Sequence, residues 1–137
     1  MAEKKKTPLY LIYDDLYQPM KNVAEKVSLG RRPKQTKEEL KSFLVIKLES
    51  RIRNLIAGGL DRMPYCYGTV TVFCKAKDDG TLNIESQSDV IDAVINKFPI
   101  SGEHIAATRP QIMMEGEDGY GYQVTQISFT IRGKKFD

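Results

Sequence analysis

Gly68-Thr69-Val70-Thr71-Val72-Phe73-Cys74-Lys75-Ala76, closed by Asp78-Asp79-Gly80 and followed by the apolar positions Val90, Ile91, Val94, Ile95 and Phe98 before Pro99, is the stretch that decides the fold. Its first part alternates. A strand from about Tyr65 to Ala76 places Val70, Val72, Cys74 and Ala76 on one side and Thr69, Thr71, Phe73 and Lys75 on the other, with one face buried. After the Asp79-Gly80 turn the spacing changes to three and four, which predicts a helix with one apolar stripe. Ser86 or Ser88 caps it, Asp89 and Asp92 lie near its positive end, and Lys97 lies near its negative end. Strand, turn and helix contain no catalytic residue, so the unit presents surface, and the chain reads as built for assembly.

Upstream, Leu9, Ile12, Tyr13, Leu16, Tyr17, Met20 and Val27 fall near one face at helical spacing, which predicts a helix from Pro8 to about Val27 with a kink or break near Gln18 imposed by Pro19. The tyrosines Tyr10, Tyr13 and Tyr17 on this helix could stack on nucleic-acid bases, but helical spacing favours core and subunit contact. Residues 28–42 are polar and basic, with Gly30 and Pro33 as breakers, and read as a loop that is either mobile or ordered by a partner. Phe43 to Glu49 is apolar on both faces and predicts a central strand covered on both sides.

Between Ser50 and Pro64 the chain reads as a loop with at most one helical turn. Gly58-Gly59 lacks the Gly-Lys-Ser/Thr ending of a phosphate-binding loop. Downstream, Arg109 to Glu115 and Tyr120 to Arg132 form a hairpin around Gly116-Glu117-Asp118-Gly119, with an acidic tip. Tyr120, Tyr122 and Val124 have one parity and Ile127, Phe129 and Ile131 the other. Either a bulge near Thr125 brings all six to the core, or both faces of this strand are covered.

The 137 residues, 41% hydrophobic and 28% charged, fit one domain, residues 1–137, with residues 1–7 as a flexible basic tail. No run of about 18 apolar residues exists to cross a bilayer, and Met-Ala-Glu-Lys-Lys-Lys has no apolar segment behind it for a signal peptide; the expectation is a cytosolic protein without membrane contact. Cys66 and Cys74 lie on one extended segment, roughly 26 Å apart at strand rise, beyond disulfide reach. With His104 as the only histidine, metal binding is not expected and the cysteines read as buried free thiols.

No nucleophile, base and orienting group assemble, so no enzymatic activity and no cofactor are expected. The carboxylate pairs Asp14-Asp15, Glu38-Glu39, Asp78-Asp79 and Glu117-Asp118 read as solvated, because acid catalysis needs burial to move a pKa. The net charge of +3 hides an asymmetry: cations outnumber anions up to Arg53 and are outnumbered after it. Opposite charge at the two ends suits head-to-tail contact between identical subunits. The interface candidates are Arg31, Arg32, Lys34, Arg51, Arg53 and Arg62 on the basic side and Asp78, Asp79, Glu115, Glu117 and Asp118 on the acidic side. The same cations could contact phosphates, but the modest charge and the lack of a recognisable nucleic-acid motif argue against direct nucleic-acid binding.

The order of these pieces resembles the small tail-terminator and tail-completion (neck) proteins of long-tailed bacteriophages. The likeness rests on the helix Pro8 to Val27, the strand Phe43-Leu44-Val45-Ile46-Lys47-Leu48, the strand Gly68 to Lys77 with its turn and the helix ending Ile95-Asn96-Lys97-Phe98-Pro99, and the final strand from Gly119-Tyr120-Gly121-Tyr122 through Ile127-Ser128-Phe129. The charged N-terminus and the long 28–42 segment depart from the pattern. The resemblance implies an α+β fold whose subunits close into a homo-oligomeric ring, often a hexamer, joining the tail tube to the head connector. It implies partners among neck, connector and tail-tube proteins, no enzymatic residues, and a place in the virion after assembly in the host cytoplasm. The expected fold is accordingly α+β, a small mainly antiparallel sheet of about four strands with an N-terminal helix and a second helix packed on it. The alternative is a small cytosolic nucleic-acid-binding module using the basic N-terminal half.

Overall fold

The computed structural model describes residues 8–30, 40–48, 65–118 and 121–133. Among them the order is α1 (Pro8–Met20), β1 (Lys26–Leu29), β2 (Ser42–Leu48), β3 (Tyr65–Lys75), α2 (Ile84–Ile95), β4 (Ile100–Ser101), β5 (Ile105–Glu117) and β6 (Tyr122–Gly133). The strands form one sheet in the order β1-β2-β3-β6-β5-β4. β1 runs parallel to β2, and every other pair is antiparallel.

The sheet differs from the expected one. It is a curled, mixed, six-stranded half-barrel rather than a small, mainly antiparallel sheet of about four strands. The two additional strands are β1 and β4, of four and two residues. Neither is long enough to display a period of two, and Val27 lies seven residues after Met20, where it extends the helical pattern. Pro19 lacks a backbone donor and α1 ends one residue after it, with Val23 N–H donating to the Met20 carbonyl at 3.0 Å to close the turn. The chain then pairs β1 with β2 instead of continuing the helix.

The inner face of the sheet carries the core. From α1, Ile12, Leu16 and Met20 are fully buried at a spacing of four, against Leu44, Ile46, Val70, Val72, Ile127 and Ile131. Burying a side chain of this size contributes about 1.5–3 kcal/mol. α2 covers the sheet through Val90, Ile91 and Val94. It begins at Asn83, whose side chain accepts from Ser86 N–H at 3.2 Å, so the cap is Asn83 rather than either serine. The helix stops at Ile95, short of Phe98, because Lys97 and Phe98 donate to the carbonyls three residues back and tighten the last turn. Gly68 faces Phe129 across the β3–β6 ladder, where an added Cβ would lie 2.7 Å from the ring.

The outer face is covered too. Phe43 and Phe73 stack with centroids 4.4 Å apart, and Tyr122 meets Phe43 edge-on at 5.1 Å while its hydroxyl donates to the Leu40 carbonyl at 2.7 Å. β2 is thus interior and covered on both sides. In β6, Tyr122 and Val124 serve this outer cluster while Ile127, Phe129 and Ile131 serve the main core. The second of the two expected arrangements holds, and the bulges lie in β5, between Thr108 and Gln111 and between Met114 and Gly116.

Candidate assembly surface

β5 is an unusual strand. β4 pairs with it only at Ala106 and Ala107, so beyond these residues its outer edge meets no strand among the described residues. Along that edge stand Ile112, Met113 and Met114, 52%, 60% and 59% exposed. Ile112 lies opposite Ile127 and Met114 opposite Thr125, both fully buried, so these two side chains share the inner face, and Met113 points to the outer one. The Thr125 hydroxyl lies 3.7 Å from the Met114 sulfur. An unpaired strand edge with large exposed apolar side chains is a template for another chain. Pro110, the Arg109 backbone at φ 60°, and the second bulge bend the edge on either side of Gln111–Met114 and restrict pairing to that run.

At the opposite edge, β1 meets no further strand among the described residues. Beside it a groove of about 300 Å³ is lined by Tyr10, Tyr13, Asp14, Tyr17, Gln18 and Leu29. Tyr10 and Leu29 are about half exposed. The tyrosine stripe of α1 divides between roles, since Tyr13 and Tyr17 also pack against the core. Tyr13 further offers its hydroxyl oxygen to Leu48 N–H at 3.4 Å.

The acidic interface candidates gather at one end of the sheet. Lys75 pairs with Tyr122, and Ala76 N–H donates to the Gly121 carbonyl at 2.9 Å, so the Asp78–Asp79 turn sits beside the β5–β6 tip. Their carboxylates are not equivalent. Asp79 accepts from the Thr81 hydroxyl at 2.6 Å and from Thr81 N–H at 2.9 Å, and these bonds hold its pKa below the ordinary carboxylate value. Asp118 accepts from Tyr122 N–H at 3.1 Å and closes the hairpin. Asp78, Glu115 and Glu117 are exposed. The basic candidates Arg31, Arg32, Lys34, Arg51, Arg53 and Arg62 lie outside the described residues, as do residues 1–7, most of the 28–42 segment and the Ser50 to Pro64 segment.

The Asp14-Asp15 pair has a structural task. Asp14 accepts from the Gln18 amide at 3.0 Å, and Asp15 reaches from α1 to accept from the backbone N–H groups of His104 and Ile105 at 2.7 and 3.1 Å. Cys66 and Cys74 are buried free thiols. The residues that sequence reasoning missed are Ile112, Met113 and Met114. The sequence shows only that three consecutive apolar residues in a strand cannot share one face; their exposure depends on how short β4 is.

No protein-family model matches the chain, and no curated protein matches it. Among solved structures it is similar to the sheath/tube terminator of an extracellular contractile injection system, PVC, in the extended state. The identity is 11% and the TM-score 0.46, over 98% of this chain and 59% of that one. The chain therefore spans less than two thirds of that protein's length.

Proposed function

We propose that the protein is a structural subunit of a tail-end ring, a tail terminator of the phage type, which joins the tail tube to a head connector and performs no chemistry of its own. The observation that carries the reading is the β5 edge: beyond Ala107 its outer side meets no strand among the described residues, and a strand edge with three consecutive, mostly exposed apolar residues suits being covered by another protein chain. The order of elements adds the specific role through the resemblance to terminator and completion proteins. In this reading the protein is present in the virion at the neck or tail end and in the host cytoplasm during assembly, and its partners are further copies of itself and tail-tube or connector proteins.

Light scattering on the purified full chain, with and without purified tail tubes, tests this. The expected result is a discrete homo-oligomer or a ring captured on the tube end; a stable monomer that also fails to associate with tubes overturns it. The second reading, a nucleic-acid-binding module, has one observation in its favour, and it lies on β3, β5 and β6 rather than in the basic N-terminal half. An open depression of about 470 Å³ on the sheet is lined by Tyr67, Arg109 and Arg132 with the hydroxyls of Thr108, Ser128 and Thr130, and no carboxylate of the described residues lines it. A monomer that shifts labelled DNA in a salt-sensitive way would support that reading instead.

A further inference from the structure

The two edges of the sheet are complementary to each other. One edge, β5, projects a thioether and branched-aliphatic rim; the other, β1, borders an aromatic groove. The run of β5 between its two bulges, Gln111–Met114, is four residues long, and so is β1. The faces also agree. Ile112 and Met114 stand on the inner face of β5, and Leu29 stands on the face of β1 that α1 covers, with Tyr10 and Tyr17 beside it.

We propose that β5 of one copy adds as a strand to β1 of the next copy, seating Ile112 and Met114 against Leu29, Tyr10 and Tyr17. This rests on the reading of the protein as a self-assembling ring subunit and names its contact. Strand addition keeps each face of a sheet continuous across the junction, so the inner-face rim of one copy arrives beside the inner-face groove of the next. Methionine suits that groove, because a flexible thioether adapts to irregular gaps and makes favourable contacts with aromatic rings. Charges of both signs flank the groove. Glu115 and Glu117 are exposed on β5 and Lys21 and Lys26 are exposed on the β1 side, against the carboxylates of Glu25, which accepts from Lys41 N–H at 3.1 Å, and of Asp14 in the groove, which accepts from the Gln18 amide.

The contact is heterologous, since each copy gives a different edge to each neighbour. Such contacts propagate head to tail and close into a ring when the rotation per copy permits. The curl of the sheet supplies a constant rotation of one sign. A two-fold pairing of β5 with β5 is the competing geometry, and it would leave the tyrosine groove uncovered.

Single cysteines placed at the two edges separate these geometries. The native thiols are buried and pushed up to about 11, so the introduced ones react first with a short bismaleimide. The double variant Leu29→Cys/Met114→Cys is expected to give a ladder of covalent multimers under denaturing conditions. Each single variant alone should give only monomer, and an equimolar mixture of the two should give dimer and nothing larger. A second measurement, light scattering of Met114→Lys and Leu29→Asp, should show loss of the oligomer with an unchanged far-UV circular dichroism spectrum. Cross-linking of Met114→Cys with itself overturns the proposal in favour of two-fold pairing. An intact oligomer with no cross-link in the double variant, or one unaffected by both charge insertions, overturns this contact while leaving the ring reading standing. Absence of any oligomer in the unaltered protein, alone or on tail tubes, overturns the ring reading itself.

Discussion

Cys66 and Cys74 point from β3 into the core, Cys74 with its thiol 3.9 Å from the Ser86 carbonyl. Burial pushes both pKa values up from 9.0 to about 11, because a thiolate in apolar surroundings loses its hydration. The consequence for stability follows from linkage. Between pH 9 and pH 11 the unfolded chain has lost these protons and the folded one retains them, so stability falls as pH rises through that window and is untouched by these groups below it. Urea unfolding across the window should show this decline, and a Cys66→Ala/Cys74→Ala variant, whatever its absolute stability, should show a shallower one. Equal slopes would mean the thiols do not contribute. The alternation of Val70, Val72 and Cys74 made this burial legible from the sequence alone. The role of Asp15 was not legible, because its partners at His104 and Ile105 are about ninety residues away and only the fold brings them together.

At the scale of elements, long patterns were readable and short ones were not. β3, β6 and the central strand β2 each run for seven residues or more and announced themselves by alternation or by an unbroken apolar run. β1 and β4 exist only because a neighbour satisfies their backbone groups, and no local property of four or two residues records that. The docking of α2 shows the same dependence. Its apolar stripe was visible, but its orientation is fixed by polar contacts to β6: the Gln87 amide donates to the buried Thr125 hydroxyl at 2.6 Å, and Asn83 N–H donates to the Gln123 side chain at 3.1 Å. Gln87 is itself buried, so Thr125→Val should strand its amide and lower the unfolding free energy by about 1–3 kcal/mol, while Gln87→Leu/Thr125→Val should recover part of the loss. A denaturant titration of the two variants checks this, and a double variant no more stable than Thr125→Val alone would show that the bond is not what positions the helix.

At the scale of the whole molecule, the proposed assembly would divide its work between an apolar rim and a charged end. The sequence showed the charge asymmetry clearly but not the rim, since exposure of Ile112, Met113 and Met114 depends on β5 overrunning its short neighbour β4. Among the acidic candidates, Asp79 and Asp118 accept hydrogen bonds within their own turns, and Asp78, Asp79, Glu115 and Glu117 are exposed. An exposed charge pair contributes about 0–1 kcal/mol and is screened over about 10 Å at 0.1 M salt, whereas apolar burial is not screened. Electrostatics should therefore govern the rate and partner choice of association, and the rim its persistence. Glu115→Lys/Glu117→Lys is expected to slow association at low salt by about tenfold or more, with the difference from the unaltered protein shrinking as salt is raised. Once formed, its oligomer should dissociate at a nearly unchanged rate. Stopped-flow light scattering over a salt series measures both quantities. If the charge reversal left the low-salt association rate unchanged, Glu115 and Glu117 would have no part in steering; if it accelerated dissociation equally at all salt concentrations, the two glutamates would belong to the buried contact and not to its rim.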